Sequence, residues 1–350
     1  MNLRIPAVTA LLTLVPLLTP TLLPACSSVA IVMDGKVLLG NHNDNSLALN
    51  MLLRVIPNRD GCFGRICISL ENVPGWVPTA MKCVNEKGLA ITHANVPEID
   101  THYDPDKPEL QHNFLEKLAA ECVTVKQAIA VLRAYSLPPA PHLGHIHLML
   151  ADATGDTAIV EWADGEVKVV RRSGATQIMT NSLIAKPSPT EGPNSRLHRG
   201  QRMLAEMKEA SVANLVAVLK EISIRGRHQG DEVGTVESAI FDLTGGKVHL
   251  YYQRDLDHPL TLDICEEIAK GSRTVEFKTL FPNPVPFEPG YRYEDGPVPA
   301  KPPAAKCETN AAEGSYAAGS SAAAPGQLRD FPRVGSQTPL NEIASRTSQP

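Results

Sequence analysis

The feature of this 350-residue chain that most restricts its fold is the order of its strand-like and helix-like patterns. Near the start, Val29, Ile31 and Met33 alternate with other residues, Asp34-Gly35 is a turn dipeptide, and the apolar run resumes at Val37. This pattern predicts a β-hairpin. Further strand-like runs follow at 64–72, 87–96, 145–172 and 239–252.

Two pairs of helices are predicted between these runs. Thr124–Tyr135 opens with a Thr and a Gln three residues apart, which is the spacing of a capping box. Ser211–Ile222 places its apolar residues on one helical face. The other two predicted helices are Asn113–Ala120 and Arg196–Met207. The elements thus alternate between groups of strands and pairs of helices. This order indicates an α+β fold with helices packed on antiparallel sheets.

The first 25 residues have the composition of a signal peptide. Arg4 supplies a positive start, Val8 to Leu23 form an apolar stretch, and Ala25 is a small residue at a cleavage position. We therefore expect the protein to be exported, either to the periplasm or out of the cell. A retained anchor is less favoured because the stretch is short and contains prolines. No other segment reads as a membrane span.

The last 66 residues, 285–350, are rich in proline and alanine. Such a composition buries too little apolar surface to offset the entropy lost on ordering. The sequence thus predicts a signal peptide at 1–25, one folded domain at 26–284 and a disordered tail at 285–350.

Charge and cysteine spacing narrow the classes of function. The net charge of −5 gives no basic footprint, so we expect no nucleic-acid partner. None of the seven cysteines belongs to a CxxC motif, and His145 and His147 fit ordinary side chains on one strand face. We expect no metal and no cofactor. Five of the cysteines are expected to be buried thiols or, after export, to form one or two disulfides: Cys62, Cys67, Cys83, Cys122 and Cys265.

Cys26 follows the predicted cleavage position, and two kinds of chemistry compete there. If the chain is cut after Ala25, residue 26 carries both a thiol and a free α-amine, which is the N-terminal-nucleophile arrangement. The run Leu23-Pro24-Ala25-Cys26 also resembles a bacterial lipoprotein signal, which would attach lipid to the same sulfur. The leader alone does not separate these readings.

Five segments in order resemble the choloylglycine hydrolase and penicillin V acylase family. They are "CSSVAIVMDGKVLLGNHND" from Cys26 to Asp44, "CVNEKGLAITHANVP" through Asn95, "QIMTNS" through Asn181, "PNSRLHRGQRML" through Arg196, and "GTVESAIFDLTGGKVHLYYQRDLDHP". The short spacing between Asn181 and Arg196 is similar to the acyl-coenzyme A:6-aminopenicillanic acid acyltransferase branch. Bile salt hydrolases carry an arginine after the glycine corresponding to Gly40, whereas this chain has Asn41.

The resemblance implies a four-layer αββα N-terminal-nucleophile hydrolase with two stacked antiparallel sheets. It implies that Cys26 attacks an amide carbonyl, that Asp44 holds Cys26 through a hydrogen bond, and that Asn95 and Asn181 surround the oxyanion. Arg196 is expected to favour the thiolate and to steady Asp44. Three histidines are expected in a pocket or at the surface, and two arginines at the surface: His42, His93, His198, Arg199 and Arg202.

The predicted reaction is hydrolysis of a linear, non-peptide C–N amide bond of a small N-acyl substrate through a thioester. Acyl transfer to an amine acceptor and a lipid-anchored, non-catalytic binding protein stay open as alternatives. The substrate pocket is expected to depend on loops at Asn45–Arg59 and Glu98–His112. Because relatives often assemble, a homo-oligomer is included among the expected partners.

Overall fold

Two antiparallel sheets organise the part of the chain that the computed structural model describes, which is 26–70, 80–96, 104–111, 113–137, 146–186, 192, 195–228 and 231–281. The strands are β1 Ser27–Met33, β2 Lys36–Ser46, β3 Met51–Ile56, β4 Arg65–Leu70, β5 Ala80–Asn85, β6 Leu89–Asn95, β7 Ile146–Asp152, β8 Thr157–Ala163, β9 Glu166–Arg171, β10 Thr176–Met179, β11 Arg225–His228, β12 Asp231–Asp242, β13 Lys247–Tyr252, β14 Asp255–Asp263 and β15 Arg273–Glu276. Sheet A has the order β10-β1-β2-β12-β13-β14, with β11 also paired to β12. Sheet B has the order β15-β3-β4-β5-β6-β7-β8-β9.

The helices of the described residues are α1 Phe114–Glu121, α2 Val125–Ala134, α3 Arg196–Glu206, α4 Val212–Ile222, α5 Ile264–Ala269 and α6 Phe277–Leu280. The first four lie within two residues of their predicted bounds. The capping box at Thr124 is confirmed, because its side chain accepts from the Gln127 N–H while the Gln127 side chain accepts from the Thr124 N–H.

Alternation along the strands creates three apolar layers. Ala30 and Leu39 of sheet A pack between the sheets with Leu53 and Met149 of sheet B. The opposite face of sheet A packs on α3 and α4, and the opposite face of sheet B packs on α1 and α2. Both sheets are therefore buried on both faces, and the expected αββα arrangement is confirmed.

The N-terminal hairpin positions the start of the site. Asp34 and Gly35 have φ values of 49° and 74°, which suits the right-handed twist of a tight two-residue turn. The turn pairs Ser27 with His42, so that Cys26, one residue earlier, lies beside Asn43. Strand β12 then pairs with the other edge of β2.

One predicted loop is partly wrong. Within the segment Asn45–Arg59, Met51–Ile56 forms strand β3, which pairs with β4 on one side and β15 on the other. Strand β4 follows β3 directly in the chain, and the Asp60-Gly61 turn between them, with φ values of 52° and 80°, is a local signal that was missed, whereas β15 comes from a distant part of the sequence. Of Glu98–His112, only 104–111 lies within the described residues.

The predicted signal peptide and tail lie outside the described residues, as does His145. Among the helices that the structure does describe, none combines the length and the apolar character that crossing a membrane requires.

Candidate active site

The Cys26 sulfur lies on the face of sheet A that points toward sheet B. Its residue is 3% exposed and packs in the core between the sheets. The thiol donates to Asn43 Oδ1 at 3.8 Å, and the Asp44 backbone N–H donates to the sulfur. Asn43 Nδ2 donates in turn to Met51 Sδ at 3.2 Å, so the acceptor of the thiol proton is itself held in place.

The surroundings of Cys26 favour the neutral thiol. Burial raises the pKa of the Cys26 thiol to about 11, and the negative charge of Asp44 adds to the rise. The Asp44 N–H and the positive charges of Lys82 and Arg196 act in the opposite direction but do not cancel it. Attack by this sulfur therefore requires a base that accepts its proton.

Asp44 is fully buried on the other face of β2 and is held by two side chains. Thr235 Oγ1 donates to Asp44 Oδ1 at 2.5 Å, and Arg196 Nη1 donates to Oδ2 at 2.9 Å. A β-bulge between Thr235 and Glu237 shifts the register of β12 at this point, and such bulges redirect side chains. Burial raises the pKa of Asp44 to about 6 although Arg196 and Thr235 lower it, so the carboxyl is mostly ionised at neutral pH.

Arg196 is the first residue of α3 and joins three parts of the site. Besides Asp44, its guanidinium donates to Ser27 Oγ at 3.0 Å and to Asn181 Oδ1 at 2.6 Å. The Ser195 side chain caps the helix by accepting from the His198 N–H. Gly200 lets this helix lie close to sheet A, since a Cβ there would overlap the Ile178 side chain on β10.

Asn181 connects this cluster to sheet B. Its Nδ2 donates at 2.6 Å to the backbone oxygen of Asn95, the last residue of β6. The Asn95 side chain makes no hydrogen bond to another described residue. All five residues predicted from the sequence thus lie along one chain of contacts: Cys26, Asp44, Arg196, Asn181 and Asn95.

The contact between Asp44 and Cys26 differs from the predicted one. In the unprocessed chain the nitrogen of residue 26 is an amide joined to Ala25, and the Asp44 carboxylate bonds to Arg196 and Thr235 instead. Its main chain, not its carboxylate, contacts the sulfur. The bond from a free Cys26 amine to Asp44 stays a prediction.

Asn41 stands where the resemblance leads one to expect arginine. Its Nδ2 donates to Ser27 O and to Ser28 Oγ, both at 2.9 Å, and Ser28 Oγ is 2.8 Å from Thr92 Oγ1 of sheet B. Asn41 therefore fixes the start of β1 and supplies no charge to the thiol.

A buried ion pair beside the site was not foreseen. Lys82 Nζ of sheet B lies 2.7 Å from Glu237 Oε2 of sheet A, and both side chains are at most 1% exposed. Glu237 on β12 is the cross-strand partner of Asn43, which accepts from the Cys26 thiol. The ion pair therefore lies on the strand next to the one that carries Asn43. The sequence signal was Lys82 among the apolar residues of 80–84, a run that was not predicted to be a strand and forms β5.

The predicted places of two histidines were wrong. His42 is fully buried toward α4, with Nδ1 2.7 Å from Ser238 Oγ and Nε2 2.7 Å from Leu219 O, and burial lowers its pKa to about 3. His93 is also buried, with Nδ1 2.7 Å from Met81 O and a pKa that burial lowers to about 4. His198 is half-buried and Arg202 exposed, whereas Arg199 is partly covered through its ion pair with Glu221.

The cysteines found in the described ranges are all free thiols, and Cys67 is the direct cross-strand partner of Cys83. In the same ranges, no three His, Cys, Asp or Glu side chains are arranged to hold a metal ion.

Solved structures with the same architecture align with most of this chain. A variant of the conjugated bile acid hydrolase from Clostridium perfringens is 15% identical, with a TM-score of 0.56, over 72% of this chain and 96% of that one. Penicillin V acylase from Agrobacterium tumefaciens is 19% identical, with a TM-score of 0.54, over 72% of this chain and 90% of that one. These likenesses establish the N-terminal-nucleophile hydrolase fold.

The second of two sequence comparisons gives the family. Penicillin V acylase from Pectobacterium atrosepticum is 35% identical over 113 residues, a match that spans 28% of this chain and only 29% of that protein. Residues 36–257, well over half of the chain, match the family described as acyl-coenzyme A:6-aminopenicillanic acid acyl-transferase. The chain therefore belongs to the acyl-coenzyme A:6-aminopenicillanic acid acyl-transferase family.

Proposed function

We propose that this protein is an N-terminal cysteine amidohydrolase that cleaves the linear C–N amide bond of a small N-acyl substrate. The observation that carries the proposal is the continuous set of contacts from the Cys26 sulfur through Asp44, Arg196 and Asn181 to Asn95. Polar side chains buried this densely around one thiol fit a reaction site better than a stabilising core, because burying them costs free energy unless each is paired.

The high pKa of the thiol gives the free α-amine its role. With a pKa of about 11, only about one thiol in ten thousand is ionised at pH 7. The amide nitrogen of residue 26 in the intact chain is not a base, whereas a free α-amine has a pKa near 8 and accepts a proton at neutral pH. We therefore propose that residues 1–25 direct export and that their removal activates the site.

The chemical steps follow from these groups. The thiol proton passes to the α-amine as the sulfur bonds to the substrate carbonyl carbon, and the carbonyl oxygen takes the negative charge. The ammonium then returns the proton to the leaving nitrogen, the C–N bond breaks, and a thioester on Cys26 is left. Water attacks the thioester by the same route and releases the acid, restoring the thiol.

Asn95 and Asn181 take different parts in stabilising the oxyanion. Asn181 donates to Asn95 O and accepts from Arg196, so its orientation is fixed from both ends. That bond fixes the end of β6, and we assign the Asn95 backbone N–H as a donor to the oxyanion, because strand alternation turns the Asn95 side chain, like that of its partner Ile146, toward the helix side of sheet B. Removing one such donor typically lowers kcat by about 100- to 1000-fold.

Acyl transfer to an amine acceptor is the second candidate function, and membership of an acyl-transferase family favours it. The thioester forms identically in both reactions, and only the group that attacks it differs. Adding a free amine acceptor to the assay separates them, because transfer gives a new amide at the expense of the free acid.

The test uses the mature form beginning at Cys26 with a panel of N-acyl amides that includes bile acid conjugates, penicillin V and acyl-homoserine lactones. We expect the mature form to turn over at least one member and the form retaining residues 1–25 to turn over none. Cys26→Ala is expected to be inactive, and Cys265→Ala, which removes an exposed thiol, is the matched control. Absence of turnover across the panel, or full activity of Cys26→Ala, would refute the proposal. A diacylglycerol mass on Cys26 would instead support the lipid-anchored alternative.

A further inference from the structure

A second buried polar group lies next to Asn181 and takes no direct part in the chemistry proposed above. His147 on β7 and Glu161 on β8 are both 0% exposed, with His147 Nδ1 3.0 Å from Glu161 Oε1. Their neighbours two residues away, Met149 and Ile159, pack between the sheets. The alternation of strand side chains therefore directs this pair toward sheet A.

The pair holds both ends of the segment that carries Asn181. His147 Nε2 lies 2.7 Å from Thr180 O, the carbonyl immediately before Asn181. Glu161 Oε1 accepts from the Ile184 N–H at 2.7 Å, and Glu161 Oε2 accepts from the Ala185 N–H at 2.8 Å. Two residues of sheet B thus fix the chain that leaves the end of β10 in sheet A.

The hydrogen bonds also determine where the protons lie. Thr180 O can only accept, so His147 Nε2 carries a hydrogen. Burial would raise the pKa of the Glu161 carboxyl, but the bonds from His147, Ala185 and Ile184 outweigh burial and lower it. Both oxygens of Glu161 act as acceptors in this arrangement, Oε1 for the Ile184 N–H and Oε2 for the Ala185 N–H.

A buried pair of hydrogen-bonded polar side chains of this kind adds little stability compared with apolar side chains of similar size. The pair instead restrains the backbone on both sides of Asn181, because it holds Thr180 on one side and Ile184 and Ala185 on the other. Asn181 needs this restraint, since it must meet Arg196 and Asn95 O at once, each at 2.6 Å.

We propose that His147 and Glu161 are positioning residues that hold Asn181 between Arg196 and Asn95. This inference rests on the proposed function, in which Asn181 and Asn95 stabilise the oxyanion. The pair acts through the backbone and makes no contact with the substrate.

Two substitutions at one position separate the two bonds of the histidine. In His147→Gln, the longer side chain keeps a donor near the place of Nε2 and so keeps the bond to Thr180 O. In His147→Asn, the shorter side chain keeps a donor near the place of Nδ1, so only the bond to Glu161 survives. We expect His147→Asn to lower kcat by about 10- to 100-fold with little change in KM, and His147→Gln to restore most of the loss.

Glu161→Gln tests the other end of the segment. An amide NH2 facing the Ala185 N–H would replace an acceptor with a donor, and we expect faster hydrogen exchange at Ala185 and a lower kcat. Glu116→Gln is the matched control, because Glu116 also accepts two partners, Arg54 and Arg65, but on the helix side of sheet B. Its loss of thermal stability measures the effect of removing a half-buried carboxylate away from the site.

Two readouts separate positioning from general destabilisation. The rate at which iodoacetamide alkylates Cys26 should be unchanged in all three site variants, because neither His147 nor Glu161 contacts the thiol. Hydrogen exchange of the segment Thr180–Ala185 reports the restraint without turnover, so it tests the inference even if the protein proves inactive on the whole panel.

The proposal is overturned if folded His147→Asn has a kcat within about twofold of wild type, or if His147→Gln and His147→Asn lose activity equally. It is also overturned if Glu116→Gln, at an equal loss of thermal stability, lowers kcat as much as Glu161→Gln. Unchanged exchange at Ile184 and Ala185 in Glu161→Gln would contradict the proposed restraint directly.

Discussion

Replacing Arg196 with methionine tests the electrostatics of the site most sharply. The substitution keeps an aliphatic stem and removes the ion pair to Asp44 together with the bonds to Ser27 and Asn181. Of the side-chain bonds that Asp44 makes with described residues, the one from Thr235 then remains, and the carboxyl stays fully buried. Breaking a buried pair by removing one partner typically costs about 3–5 kcal/mol, and we expect a loss of that size at pH 8.

The loss should depend on pH with a definite sign. In the wild type, the pKa of Asp44 is raised from an ordinary 3.8 to about 6. Stability from a carboxyl with a raised pKa is fully present below its unfolded value and is lost as pH rises through its folded value. Without Arg196 the folded pKa of Asp44 rises further, so we expect Arg196→Met to cost less at pH 5 than at pH 8.

The assay is urea unfolding of wild type, Arg196→Met, Asp44→Asn and the double variant at both pH values. The double variant contains no lone buried charge, so its loss at pH 8 should be smaller than the sum of the single losses by about 2 kcal/mol or more. Additive losses, or a cost for Arg196→Met that is equal at pH 5 and pH 8, would show that Asp44 and Arg196 do not form the pair described.

Two further variants test how the site is held. Thr235→Val removes the hydroxyl that donates to Asp44 and accepts from the Ile224 N–H. We expect stability to fall by about 1–3 kcal/mol and kcat to fall as well, measured by urea unfolding and steady-state kinetics. Wild-type values would show that this hydroxyl does not hold Asp44. Gly200→Ala should cost about 1–3 kcal/mol in thermal unfolding because its Cβ overlaps the Ile178 Cδ1, and adding Ile178→Val, which removes that atom, should restore part of the loss; no recovery would mean that the overlap is not the cause.

Local sequence signals predicted the elements that depend on neighbouring residues. The Asp34-Gly35 turn fixed the first hairpin, and the Thr124 cap fixed the start of α2. Strand β3 was missed although the Asp60-Gly61 dipeptide marks its hairpin with β4, and only its second partner, β15, comes from a distant part of the chain. Long-range pairing of this kind leaves little trace in a short window.

The five site residues were found through resemblance, and their contacts required the structure. Asn43 looks like one polar residue in the run from Asn41 to Asp44, and only the pairing of β1 with β2 places it beside the thiol. His42 was misplaced for the same reason, because strand alternation directs it toward α4, away from Cys26. The partnership of His147 with Glu161 joins two strands and holds a third segment, which no local pattern encodes.

The most direct test of the account is the intact mass of the mature protein after brief reaction with a turned-over N-acyl amide and an acid quench. The account predicts a chain that begins at Cys26 and carries one additional acyl group, which peptide mapping assigns to the sulfur of that residue. An acyl group on another residue, or turnover by a chain whose residue 26 is still joined to Ala25, would contradict it.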